Sequence, residues 1–124
     1  MDQALDAALI RRLGDELYKA QRTCSVVQPL TARHPGLSLD DAYRVQQRMV
    51  ARRLARDGER TVGRKIGVSS RAVMALLGVD QPVTGQLLSG MVVPDGACVS
   101  IHTLTQPRAE GEIAFLLKRD LQGP

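Results

Sequence analysis

Aromatic side chains are scarce in this sequence: Phe115, Tyr18 and Tyr43 are all it has, and tryptophan is absent. A core must therefore be built from Leu, Val, Ala, Ile and Met, and no stacking surface for nucleic-acid bases is present. Cysteine is limited to Cys24 and Cys98 and histidine to His34 and His102, with no CxxC unit. That excludes zinc-site spacing and a disulfide framework, and two distant thiols suit a reducing cytoplasm, the expected location. Long apolar runs are missing too, so no helical membrane span is expected, and the start MDQALDAALI carries early acids instead of the basic-then-apolar order of a secretory signal. The glycines form neither a GxGxxG nor a Walker pattern, so nothing points to a nucleotide.

What is present is ordinary globular balance. The 124 residues are 44% hydrophobic and 24% charged, enough for one modest core and too few for two substantial domains. The net charge of +4, from 17 basic and 13 acidic residues, sits largely in arginines on a helical stretch. Without a nucleic-acid motif beside them, Arg48, Arg52, Arg53 and Arg56 read as a solvated helix face, and neither nucleic acid nor membrane is an expected partner.

The periodicity predicts an amphipathic helix over Leu5 to Leu17, with Leu5, Leu9, Leu13 and Leu17 at four-residue spacing. Thr23 to Gly36, interrupted by Pro29 and Pro35, reads as a loop. A second helix is expected after Ser38, with Ser38 capping and Asp41 three residues on. It runs through Leu39, Ala42, Val45 and Met49 to about Arg56 and stops at Asp57-Gly58. Thr61, Val62, Ile66 and Val68 suggest a short strand around Gly63 and Gly67, and Ser69 or Ser70 caps a helix from Arg71 to Leu77 ending at Gly78. Val79 to Gly96 is turn-rich, Val99 to Ile101 a short strand, and Glu110 to Leu117 a better one. The expected fold is α+β: a helical region over 1–58, then a mixed β-rich region over 59–124. A chain that stops at Gly123-Pro124, just after an apolar strand where a partner strand would begin, is expected to continue.

Two places carry chemistry. On an extended chain Glu110 and Glu112 point to one side, about 7 Å apart, while Ile113, Phe115 and Leu117 point to the other. A hard divalent cation with oxygen ligands is the simplest partner for two converging carboxylates, though they make an incomplete ligand set. Solvated acids at the start of an edge strand fit the same spacing. Lys65, within Gly63-Arg64-Lys65-Ile66-Gly67, offers a compact point charge for a substrate carboxylate or an enolate, and an ordinary surface lysine fits that position as well.

The run GRKIGVSSRAVMALLGVDQPVTGQLLSGMVVPDG, preceded by LTARHPGLSLDDAYRVQ and followed by QPRAEGEIAFLLKRDLQGP, resembles the 2-keto-4-pentenoate hydratase and 4-oxalocrotonate decarboxylase family of the fumarylacetoacetate hydrolase superfamily. The resemblance covers nearly the whole chain, with several blocks in the right order. It implies a fumarylacetoacetate-hydrolase-like core of which this is the amino-terminal part. Glu110 and Glu112 become ligands of Mg²⁺ or Mn²⁺, with a third acid expected further along than this chain reaches. Lys65 becomes the catalytic lysine that handles substrate, and the loop Gln81, Pro82, Val83, Thr84 and Gly85 lines the same pocket.

Many hydratases of the family read Pro-Asp-Phe-Gly where this chain reads Pro82-Val83-Thr84-Gly85, a departure that adds weight to decarboxylation. The implied partner is a small 2-oxo or 2-hydroxy-dienoic acid, and the implied full-length state a homo-oligomer. The implied reaction is hydration of 2-hydroxypenta-2,4-dienoate through a metal-held dienolate. Decarboxylation of 4-oxalocrotonate is the enzymatic alternative, and a non-catalytic fragment or assembly module the third reading.

Overall fold

The computed structural model describes residues 5–123; residues 1–4, the acid-bearing start noted above, and Pro124 lie outside it. Its elements are α1 (Ala7–Arg22), α2 (Leu30–Arg33), α3 (Leu39–Asp57), β1 (Thr61–Gly67), α4 (Arg71–Leu77) and β2 (Val83–Leu88), followed by two short 3-10 turns. The architecture is α+β: a helical layer beside a two-stranded antiparallel sheet.

The leucine row of α1 faces α3. Leu13 and Val45 are almost fully buried with Ile10, and Leu5, Leu9, Leu17, Leu30 and Leu37 close around them. Contacts run in the same sense along both helices, Leu5 with Asp41, Asp15 with Arg48 and Arg52, and Tyr18 with Asp57, so α1 and α3 lie parallel. Residues 23–38 return the chain between them. That return, expected as loop throughout, contains the four-residue α2, which seats Leu30 on the core while Arg33 grips Glu16 through both carboxylate oxygens.

The arginine face is not solvated as its spacing suggests. Arg48 and Arg52 each place two nitrogens on the Asp15 carboxylate at 2.7–3.0 Å. Arg53 is buried, reaching Glu59 at 2.7 Å and Gln21 at 3.2 Å. Only Arg56 of the four keeps to the exposed surface. Acids and an amide from α1 and from the residue pair after α3 account for the difference, and a single-helix pattern does not reveal them.

Caps define α3 and α4. The Ser38 hydroxyl accepts from the Asp41 N–H (3.1 Å) and donates to its carboxylate (2.9 Å), while Gly58 ends the helix in the left-handed region at φ 65°. Ser70 accepts from the Val73 N–H, and Gly78, at φ 67°, closes α4.

β1 pairs with β2 across α4, with Lys65 opposite Gly85 and Ile66 opposite Thr84. Leu88 is fully buried at one end of the hairpin, where Arg60 and Ser89 exchange two hydrogen bonds. Gly90 lies so close to the Glu59 carboxylate that a β-carbon would overlap it.

β2 falls inside the stretch expected as turns, so the pocket loop Gln81 to Gly85 is a loop only at Gln81 and Pro82. The expected strands at Val99 to Ile101 and Glu110 to Leu117 are not formed. Ile101–Thr103 is a 3-10 turn, and residues 110–117 are irregular and exposed. A strand needs a neighbour to take its N–H and C=O groups, and among the described residues β1 and β2 pair only with each other.

Candidate active site

Lys65 leaves β1 between two glycines. Its ammonium donates to Glu112 Oε1 at 2.6 Å and to the Ile66 carbonyl at 3.3 Å. An ammonium has three N–H donors, so one remains for an anion. The Lys65 and Glu112 side chains are 45% and 52% exposed, which leaves the pair screened by water and easily exchanged.

A cleft of about 430 Å³ opens beside Lys65 between the hairpin and α3. Lys65, Gly67, Val83, Thr84 and Gly85 form its hairpin side. Leu39, Ala42, Tyr43 and Gln46 form the other. One stripe of α3 thus faces the hairpin while another, through Asp41 and Val45, faces α1. The two elements are joined at Thr84, whose N–H donates to the Tyr43 hydroxyl (3.1 Å) and whose carbonyl accepts from Gln46 Nε2 (3.2 Å). These bonds satisfy peptide groups of β2 that a further strand would otherwise take.

Four of the residues expected from sequence therefore share one cleft: Lys65, Val83, Thr84 and Gly85. Gln81 and Pro82 lie just before β2, exposed and outside its walls. Glu112 joins the site through Lys65, while Glu110 is exposed two residues away. Sequence reasoning missed the α3 wall, although positions 39, 42, 43 and 46 share one helical face and their signal was present as a stripe assigned to the core.

The donor chemistry of Glu110 and Glu112, oxygen only and anionic, fits a hard divalent cation. Their number does not complete a site: among the described residues no group of three or more His, Cys, Asp or Glu is placed to hold a metal ion.

No family model matches the chain. It is 53% identical over 121 residues to a 2-hydroxypent-2,4-dienoate hydratase of Pseudomonas putida, spanning 97% of this chain and 54% of that protein. Identity is 48% over 121 residues to a 2-hydroxyhexa-2,4-dienoate hydratase of Comamonas testosteroni, 96% of this chain and 46% of that one. Among solved structures, the 4-oxalocrotonate decarboxylase of Pseudomonas putida G7 complexed with calcium and acetate superposes with a TM-score of 0.78 at 33% identity, covering 82% of this chain and 39% of the other. The same enzyme complexed with magnesium and adipate gives 0.70 at 34% identity, covering 74% and 35%.

Over nearly its whole length the chain is similar to hydratases of this family, and its fold to that of a solved 4-oxalocrotonate decarboxylase. It spans about half the length of the curated relatives it matches. The family's solved members carry a fumarylacetoacetate-hydrolase-like fold, of which the helices and hairpin described here are a portion. No helix among the described residues is long and apolar enough to cross a membrane.

Proposed function

We propose that this chain is part of a lyase that adds water to 2-hydroxypenta-2,4-dienoate, giving 4-hydroxy-2-oxopentanoate, in the breakdown of aromatic ring-cleavage products. The observation that carries the reading is 53% identity, over 97% of the chain, to a hydratase of such a dienoate. On this reading residues 1–58 are the helical region and 59–124 the first part of the catalytic domain. The complete enzyme is a cytoplasmic homo-oligomer.

The chain's own residues have definable tasks. The free N–H of Lys65 donates to the substrate carboxylate or its 2-oxo oxygen, and the ammonium charge holds the anion in place. Val83 and the glycines of the hairpin keep water from the hydrocarbon part. Glu110 and Glu112 hold the divalent cation together with a ligand from beyond this chain. Mg²⁺ or Mn²⁺ bound there supplies Lewis-acid polarisation of the 2-oxo group.

Decarboxylation of 4-oxalocrotonate is the second reading, favoured by one observation: Val83 presents an apolar side chain at the cleft where an acid stands in many hydratases. Product formation from freshly generated 2-hydroxypenta-2,4-dienoate and from 4-oxalocrotonate, with Mg²⁺ or Mn²⁺, tests both. The chain and its longest in-frame extension are assayed side by side. Metal-dependent turnover in the extension supports an enzyme, and its product selects hydratase or decarboxylase. A folded, metal-loaded extension inert toward both substrates sinks both activities and leaves an assembly role.

A further inference from the structure

The Lys65 cleft is asymmetric. Its single charge lies on β1, and the wall supplied by α3 begins with the aliphatic side chains of Leu39 and Ala42. Leu39, in the first turn of α3, is 37% exposed and lines the cleft. An anion held at Lys65 must direct its remaining atoms along the cleft, and an aliphatic wall accepts a hydrocarbon tail in place of water.

We propose that the Leu39–Ala42 face of α3 is the specificity wall that sets how long a tail the bound 2-oxo acid carries, with Tyr43 and Gln46 as the positioning residues that fix this wall relative to Lys65. The inference rests on the reading of the Lys65 cleft as an acid-binding site, and adds the residues that discriminate among acids. Tyr43 and Gln46 are one helical turn apart and grip both peptide groups of Thr84. Thr84 neighbours Gly85, and Gly85 lies opposite Lys65 in the register. The distance from ammonium to aliphatic wall is therefore set by two hydrogen bonds. Ala42 is the small residue of the stripe, so its replacement by a larger one extends into the cleft and not into the α1 seam.

The test measures dissociation constants for 2-oxobutanoate, 2-oxopentanoate and 2-oxohexanoate, with Mg²⁺ present, from the amide shifts of Thr84 and Gly85 in the NMR spectrum of the full chain. Each methylene that reaches the wall is expected to tighten binding about fourfold. Ala42→Leu abolishes the gain for the longer acids and leaves 2-oxobutanoate unchanged, whereas Leu39→Ala weakens the longer acids selectively. Lys65→Met weakens all three acids alike. Tyr43→Phe, which frees the Thr84 N–H, speeds hydrogen exchange at that amide, and both it and Gln46→Ala, which frees the Thr84 carbonyl, flatten the length preference, an effect that a merely structural role does not give.

A length preference identical in the wild type, Ala42→Leu and Leu39→Ala overturns the specificity wall while leaving the acid site intact. Failure of all three acids to bind overturns the acid site and the wall with it.

Discussion

Gly14 sets how closely α1 and α3 approach. A β-carbon there would lie 2.5 Å from Arg48 Cβ and Cγ and 2.9 Å from the Val45 carbonyl, so backbone as well as side chain would have to move. Gly14→Ala is expected to cost about 1–3 kcal/mol through overpacking, despite alanine's better helix propensity, read as a lower urea midpoint. Next to it, hydrogen bonds from Arg52 and then Arg48 hold the Asp15 carboxyl far below the usual carboxylate range, against a smaller desolvation cost. The Arg33 guanidinium lowers Glu16 in the same direction. Because the folded form binds these protons more weakly than the unfolded chain, the stabilisation is complete above the unfolded pKa of about 4 and fades as pH falls toward the folded value. The urea midpoint should drop as pH falls below about 4. Asp15→Asn should remove part of that drop and cost on the order of 1 kcal/mol at pH 7, since all three side chains are partly exposed. An unchanged acid profile in Asp15→Asn would show that the two arginines contribute nothing to folding.

The helices differ in how much of the molecule depends on them. Ser38 caps a helix that carries Val45, Asp41 and Arg53 into the interior, whereas Ser70 caps α4, which buries nothing. Ser38→Ala should therefore lower global stability by about 1 kcal/mol. Ser70→Ala should raise amide exchange only within Arg71–Leu77 and leave the melting temperature in place. Equal losses in melting temperature from the two variants would contradict this division.

Both caps, and the helices behind them, were legible because Ser, an apolar stripe and a terminal glycine are local signals. β1 was legible for the same reason. β2 was hidden by Pro82 and Gly85, which read as turn residues until β1 supplies the pairing partner. The opposite error occurred at Glu110 to Leu117, where alternation was plain but a strand's existence depends on a neighbour that alternation does not identify. Lys65 was singled out by its setting between glycines, and Val83 to Gly85 through a family resemblance. Their meeting with Leu39, Ala42, Tyr43 and Gln46 depends on α3 packing on the hairpin, a contact between positions about forty apart that no local spacing encodes.

At the scale of the whole molecule, the described chain divides into a packed part and an uncovered one. The buried residues all lie between Ile10 and Leu88, and every described residue after Gly90 is exposed. Ile113 and Phe115 are each 83% exposed, Leu116 is 102% and Leu121 77%, within a few residues of one another. So concentrated an apolar surface is removed from water by association whenever a second surface is available. The chain at micromolar concentration should sediment as a mixture whose mean mass rises with concentration, and it should bind a hydrophobic dye. Replacing Phe115 and Leu116 together by glutamate should reduce both effects, because a carboxylate resists the same burial. Since neither side chain touches the α1 and α3 core, the double variant should keep the parent's melting temperature. A monomeric, dye-silent parent would mean that residues 113–121 fold back onto the molecule in solution, and the same double variant would then lower the melting temperature instead of the mass.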